Sequence, residues 1–157
     1  LSFIGFDGLG ALEFNANDEV SIIKEDELLF SLAEFKEESI SVYSNKSKKS
    51  ELSKLIAKSN SGAGGAKAKA VVNYNSDSKM IHLSAKHDEV LDNYEKCIIK
   101  FNTKKRDEAI AYNEELRLEY VYYLLARKCG IKMSKCWLEC DEDNNCYFIT
   151  KRFDIDE

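Results

Sequence analysis

The 157-residue sequence contains no proline, seven glycines, two histidines and one tryptophan. Without proline a stiff Pro-rich linker is excluded, so any joint between domains has to be sought at glycine. Neither a signal peptide nor a long apolar run is visible, so the expected setting is a reducing cytoplasm with no membrane contact. A formal net charge of -5 argues against a surface coated with cations for nucleic acid. The five cysteines (Cys97, Cys129, Cys136, Cys140, Cys146) form an odd set with no repeated CxxC pair. Cys136, Cys140 and Cys146 lie close together, but their spacing fits no common zinc knuckle, and His82 and His87 are far off in sequence. The expectation is free thiols, buried or half-buried, and no metal site.

What the chain does have is enough apolar material for a core: 44% of residues are hydrophobic and 11% aromatic, which excludes global disorder. Gly8 to Asn15 ("GLGALEFN") alternates apolar and polar residues as a short strand does. Glu25 to Glu38 reads as an amphipathic helix with Leu28, Leu29, Leu32 and Phe35 on one face, and a second, more basic helix covers "SKKSELSKLIAKS" with Leu52, Leu55 and Ile56 as its stripe. "AKAKAVVNYN" and "KMIHLSA", joined by the turn-forming "NSDS", predict a β-hairpin. "KCIIKFN" predicts a further strand on which Ile98 and Lys100 share one face, Ile99 and Phe101 the other. The longest helix runs from about Asp107 to Cys129, where Leu118, Val121, Tyr122 and Leu125 repeat at helical spacing and Gly130 supplies a stop. Two closing strands flank the polar turn "DEDNN". The fold class is α+β, a mainly antiparallel sheet with a long helix packed on it, preceded by a short helical segment.

Three features carry chemistry. "SNSGAGGAKAKAVV" (Ser59 to Val72) holds three of the seven glycines. It lacks the spacing and the Ser or Thr of a Walker A loop, yet glycines let backbone N–H groups approach phosphate oxygens, and Lys67 and Lys69 add charge. A flexible connector explains the segment equally well. Lys100 stands inside the apolar "CIIKF", where a charge is costly without a counter-charge or ligand. Glu119, on the long helix, is a candidate counter-charge. A glycine loop, a strand lysine and a helix glutamate are parts of a kinase small lobe. Taken singly, the lysine is as well explained as a solvated edge-strand residue and the glutamate as a surface one. "FITKRFD" would then be the strand leading into a hinge whose backbone groups hydrogen-bond adenine; alternatively it is an outer strand whose basic residues snorkel.

Together, "SGAGGAKAKAVV", "IIKF", "RLEYVYYLLARKCGIKMSKC" and "YFITKRFD", in this order, resemble the small lobe of the HipA family of bacterial serine/threonine kinases, the toxins of HipBA-type toxin–antitoxin pairs. "GALEF" resembles the end of that family's N-terminal segment. The resemblance implies a division into 1–15 (end of that segment), 16–58 (helical spacer) and 59–157 (nucleotide-binding lobe ending at the hinge). It implies that Gly64, Gly65, Ala66, Lys67, Ala68 and Lys69 form the loop on the ATP phosphates, that Lys100 contacts those phosphates, and that Lys151, Arg152 and Phe153 hold adenine, mostly through backbone groups. Glu119 matches a helix glutamate, inferred to pair with Lys100.

One departure is that Gly62 stands where many members carry an autophosphorylated serine, with Ser61 out of register by one. Another is that the catalytic and magnesium-binding aspartates lie after the hinge in the family. No catalytic residue is therefore expected in this chain, which begins at Leu1 and stops at Glu157 like a piece of a longer protein. The implied cofactors are ATP and Mg2+ in the intact kinase. The implied partners are a HipB-like DNA-binding antitoxin and a protein substrate, with nucleic acid reached only through the antitoxin. The rival reading is a non-catalytic module that binds an antitoxin or a separate kinase subunit. A weaker one is direct nucleic-acid binding through the lysines between Lys46 and Lys69, which lack interleaved aromatics or a helix-turn-helix pair.

Overall fold

The computed structural model describes residues 28–44, 51–61, 68–83, 91–103 and 106–154. Its strands are β1 (Leu29–Ser31), β2 (Lys69–Asn75), β3 (Met80–His82), β4 (Glu95–Phe101), β5 (Cys136–Cys140) and β6 (Cys146–Lys151). Its helices are α1 (Leu32–Tyr43), α2 (Glu51–Ser61) and α3 (Arg106–Lys128). The strands make one six-stranded sheet in the order β1-β3-β2-β4-β6-β5, with every neighbouring pair antiparallel. The fold is α+β. The expected strand at Gly8–Asn15, with the rest of segment 1–15, lies outside the described residues.

Strand alternation divides the side chains between two faces. Ala70, Val72 and Tyr74 of β2, Cys97, Ile99 and Phe101 of β4, and Tyr147 and Ile149 of β6 form one face, covered by Phe35 of α1 and Ile56 of α2. Phe35 stacks edge-on against Phe30 and Phe101, with centroids 6.1 and 5.9 Å apart. Each fully buried side chain of this size contributes about 1.5–3 kcal/mol of burial, so this layer dominates the stability of the sheet. The segment expected as a helical spacer thus adds a strand and two helices to the main core. The other face carries Cys136, Cys146 and Phe148, on which Leu116 and Tyr123 of α3 pack.

The structure corrects the single helix expected over Glu25–Glu38. Leu28 and Phe30 are buried while Leu29 is exposed, a period of two, and β1 pairs with β3. The helix starts only at Leu32, because Ser31 caps it: its Oγ accepts the Glu34 N–H, and Glu34 accepts the Ser31 N–H at 2.8 Å. The α2 helix and the β2–β3 hairpin agree with the sequence reading. In the hairpin, Asn75 Oδ1 accepts the N–H groups of Asp77 and Ser78 at 2.9 and 3.0 Å, and Lys79 takes a left-handed φ of 58°.

The α3 helix ends where glycine was expected to stop it. Gly130 has φ +82°, its N–H donates to Arg127 C=O, and Ile131 N–H donates to Ala126 C=O, a Schellman closure. The stripe that marks this helix in the sequence, however, is not buried against the sheet. Leu118, Val121, Tyr122 and Leu125 are 50%, 45%, 62% and 51% exposed, whereas Leu116, Tyr120 and Tyr123 make the contact.

The expectation of five free thiols is corrected at two positions. Cys140 and Cys146 form a cross-strand disulfide, because the β5–β6 register makes them direct partners. Cys97 and Cys136 are buried free thiols and Cys129 is an exposed one. Among the described residues, no helix is long and apolar enough to cross a membrane.

Candidate functional site

The site is built where α3, packed over β5 and β6, reaches through Glu119 to β4. β4 is an interior strand, with β2 on one side and β6 on the other, so Lys100 is no edge-strand residue. Register places Lys100 directly across from Lys69 of β2 and from Phe148 of β6. All three belong to the sheet face on which α3 lies. From that helix the Glu119 carboxylate accepts a hydrogen bond from Lys100 Nζ and pairs with it, the two side chains being 29% and 31% exposed. The same ammonium lies 5.6 Å from the centroid of the Phe148 ring, a distance at which the ring face attracts a cation.

An interior strand does not need a lysine. A third-exposed ion pair contributes about 1 kcal/mol or less, and a well-packed apolar pair does as well. Across the strands, two lysines side by side on one face repel. The arrangement gathers positive charge at one point of a sheet, with the Glu119 carboxylate against Lys100, at a depth where water screens only part of it. Its chemical capacity is to hold a multiply charged anion.

Beside the ion pair, between α3 and β6, runs a groove of about 580 Å³ walled by Glu119, Tyr122, Leu125, Met133, Phe148 and Thr150. Sequence reasoning passed over Phe148 and Thr150. The signal was present in "YFIT", since alternate residues of a strand that leads away from Cys146 must share the α3 face.

The remaining expected residues do not all converge on this point. Gly64, Gly65, Ala66 and Lys67 lie outside the described residues. Ala68 packs on the α1–α2 core, and its carbonyl accepts the Phe101 N–H at 3.4 Å. Lys151 belongs to the opposite face, where it pairs with Glu95 at 3.1 Å alongside Lys135 at 3.2 Å. Burial alone pushes the Glu95 carboxyl up, but the hydrogen bonds and charges of Lys151 and Lys135 outweigh it and hold the group below its usual range. Arg152 is buried, its guanidinium held by both carboxylate oxygens of Asp154 at 3.0 and 2.9 Å. Lys151 N–H donates to Lys135 C=O and Arg152 N–H to Lys96 C=O, so both donors serve the sheet. Phe153 is 88% exposed.

Among the described residues, no three His, Cys, Asp or Glu side chains gather to hold a metal ion. A search of curated proteins and of solved structures found no match. A family model described as the HipA-like C-terminal domain matches residues 61–157, a span that contains Lys69, Lys100, Glu119 and the whole of β2 to β6. More than half of the chain, including the charged point on the sheet, is covered by that match, and the chain therefore belongs to the HipA-like family.

Proposed function

We propose that the chain is the nucleotide-binding part of a HipA-type serine/threonine protein kinase, the toxin of a toxin–antitoxin pair, in which Lys100 and Lys69 engage the phosphates of ATP. The observation that carries the reading is the Lys100–Glu119 pair on an interior strand, directly opposite Lys69. A polyphosphate is the ligand class that suits two ammonium groups set side by side on one face. Glu119 holds Lys100 in place for it. ATP, when bound, supplies the phosphoryl group; the chain's own residues bind and orient it.

Gly64, Gly65, Ala66 and Lys67 are proposed to close over the phosphates. With the N–H groups of Lys151 and Arg152 serving the sheet, a backbone contact to adenine falls to the next position, Phe153. Mg2+ is expected with ATP, but its ligands are not drawn from the described residues, and no step proposed for this chain runs through it. A HipB-like antitoxin, a protein substrate and a cytoplasmic setting complete the proposal, with nucleic acid reached through the antitoxin.

The test is phosphoryl transfer by the full native polypeptide incubated with ATP and Mg2+, followed by intact-mass measurement. The expected result is a gain of phosphate on itself or a co-incubated protein, abolished by Lys100→Ala. Undiminished transfer by Lys100→Ala removes the assignment.

A second reading, a non-catalytic interaction module, is favoured by one observation: the exposed apolar stripe Leu118, Val121, Tyr122 and Leu125 on α3. Light scattering with a co-expressed antitoxin distinguishes the two. A stable complex lost in Leu118→Asp, with no nucleotide binding by either component, supports the module.

A further inference from the structure

At the tip of the β5–β6 hairpin, Cys140 and Cys146 face each other with Cα atoms 4.2 Å apart and their sulfurs joined. They form the close, non-hydrogen-bonded kind of cross-strand pair. One residue beyond, Asp141 N–H donates to Asn145 C=O and closes a short loop in which Asn144 takes a φ of 61°. The two sulfurs have unlike surroundings. Cys140 is exposed, whereas Cys146 is buried beneath α3.

The loop is tied to α3 at this point. Arg117 places Nε 3.3 Å from Cys146 Sγ and donates through Nη2 to Asn144 Oδ1 at 2.6 Å. Asn113, one turn earlier, donates to Asn144 C=O at 2.9 Å and accepts the Cys146 N–H at 3.4 Å. These contacts form a clamp on the N-terminal half of the helix that carries Glu119. The clamp holds only while Asn144 and Cys146 keep their register.

We propose that Cys140–Cys146 is an exchange site for low-molecular-weight thiols and disulfides of the glutathione class, and that its redox state sets how firmly α3 is held. In the reducing direction a small thiolate attacks Sγ of Cys140, the exposed residue of the pair. The S–S bond breaks, and its electron pair leaves on Cys146 Sγ, next to the Arg117 guanidinium, whose charge stabilises the departing thiolate. A proton from water caps Cys146. A second small thiol then attacks the small-molecule sulfur of the mixed disulfide, and Cys140 is released as a thiol together with the small disulfide. Two small thiols are oxidised and one protein disulfide is reduced; oxidation runs the same steps backwards. Once reduced, the last rung of the hairpin frays and the Asn113 and Arg117 contacts open with it. Cys136, on the same face, stays out of the exchange because burial raises its thiol. Nothing in this depends on what Lys100 binds.

The test equilibrates the chain in buffers of graded reduced-to-oxidised glutathione ratio, traps thiols with iodoacetamide for peptide mass mapping, and follows amide hydrogen exchange over residues 113–120. Cys140 and Cys146 are expected to titrate together, with exchange at least about fivefold faster in the reduced state. Cys140→Ser should show the fast exchange in every buffer. Arg117→Gln should slow reduction about tenfold, and Arg117→Lys should restore most of the rate. The proposal is overturned if both thiols alkylate fully at every ratio, or if α3 exchanges alike in the two states. An Arg117→Gln chain reduced as fast as wild type removes the role given to the guanidinium.

Discussion

A lysine on an interior strand has to be explained by what it meets, and Lys100 meets Glu119, Phe148 and, across β2, Lys69. Since a pair this exposed adds about 1 kcal/mol or less, Glu119→Gln should leave the melting temperature within a few degrees of wild type while lowering affinity for ATP. Parallel melts and binding titrations check it. Glu95 offers a different residue-scale forecast. Its folded pKa lies below the ordinary 4.5, so the stability it contributes is present above about that pH and is lost as the pH falls through the lowered value. Asp141, held low against the opposing effect of burial by Asn145 and Tyr147, acts in the same sense from 3.8 downward. Urea unfolding from pH 7 to pH 3 should show a fall at the acid end that Glu95→Gln makes shallower. Lys100 and Glu119 were legible in the sequence because a charge inside "CIIKF" demands a partner and the next helix offers one. The Cys140–Cys146 bond was not legible. It depends on loop register, and shifting that register by one residue would turn the two side chains to opposite faces.

At the scale of elements, the apolar periodicity located α3 but left its rotation open, because the helix carries two apolar stripes. Leu116, Tyr120 and Tyr123 lie about 200° round from the exposed series that begins at Leu118, and only packing chooses between them. Leu116→Ala should therefore cost about 2–4 kcal/mol, whereas Leu118→Ala and Leu125→Ala should each change stability by less than about 0.5 kcal/mol in the isolated chain. Chemical denaturation of the three variants measures this. The β1–α1 boundary escaped notice for a related reason. Leu28, Leu29, Leu32 and Phe35 satisfy a helical period, and the competing period of two spans only Leu28, Leu29 and Phe30 before Ser31 caps the helix. Ser31→Ala should cost about 1 kcal/mol, since it removes one half of a reciprocal cap.

On the whole molecule, the family match begins at residue 61, yet the main core draws on Phe30, Phe35 and Ile56 from outside that span. A chain that starts at residue 59 loses the cover over Ile99, Phe101 and Ile149 and is expected to aggregate or to lose cooperative unfolding, read by calorimetry. Strands β2 to β6, their hairpins and the long helix were foreseeable from alternation and turn chemistry, which are local. Which face each helix covers is a non-local matter, and it decides that Lys69, Lys100 and Glu119 come together while Lys151 turns away.

The central claim is that this meeting point holds a triphosphate. Calorimetric titration of the chain with ATP, wild type beside Lys100→Ala, addresses it most directly. The account predicts measurable binding by the wild type and at least a tenfold rise in Kd, about 1.4 kcal/mol, for the variant, with the loss deepening when Lys69 is also replaced. Equal affinity in the two proteins, or no binding by a folded wild-type chain, would contradict it.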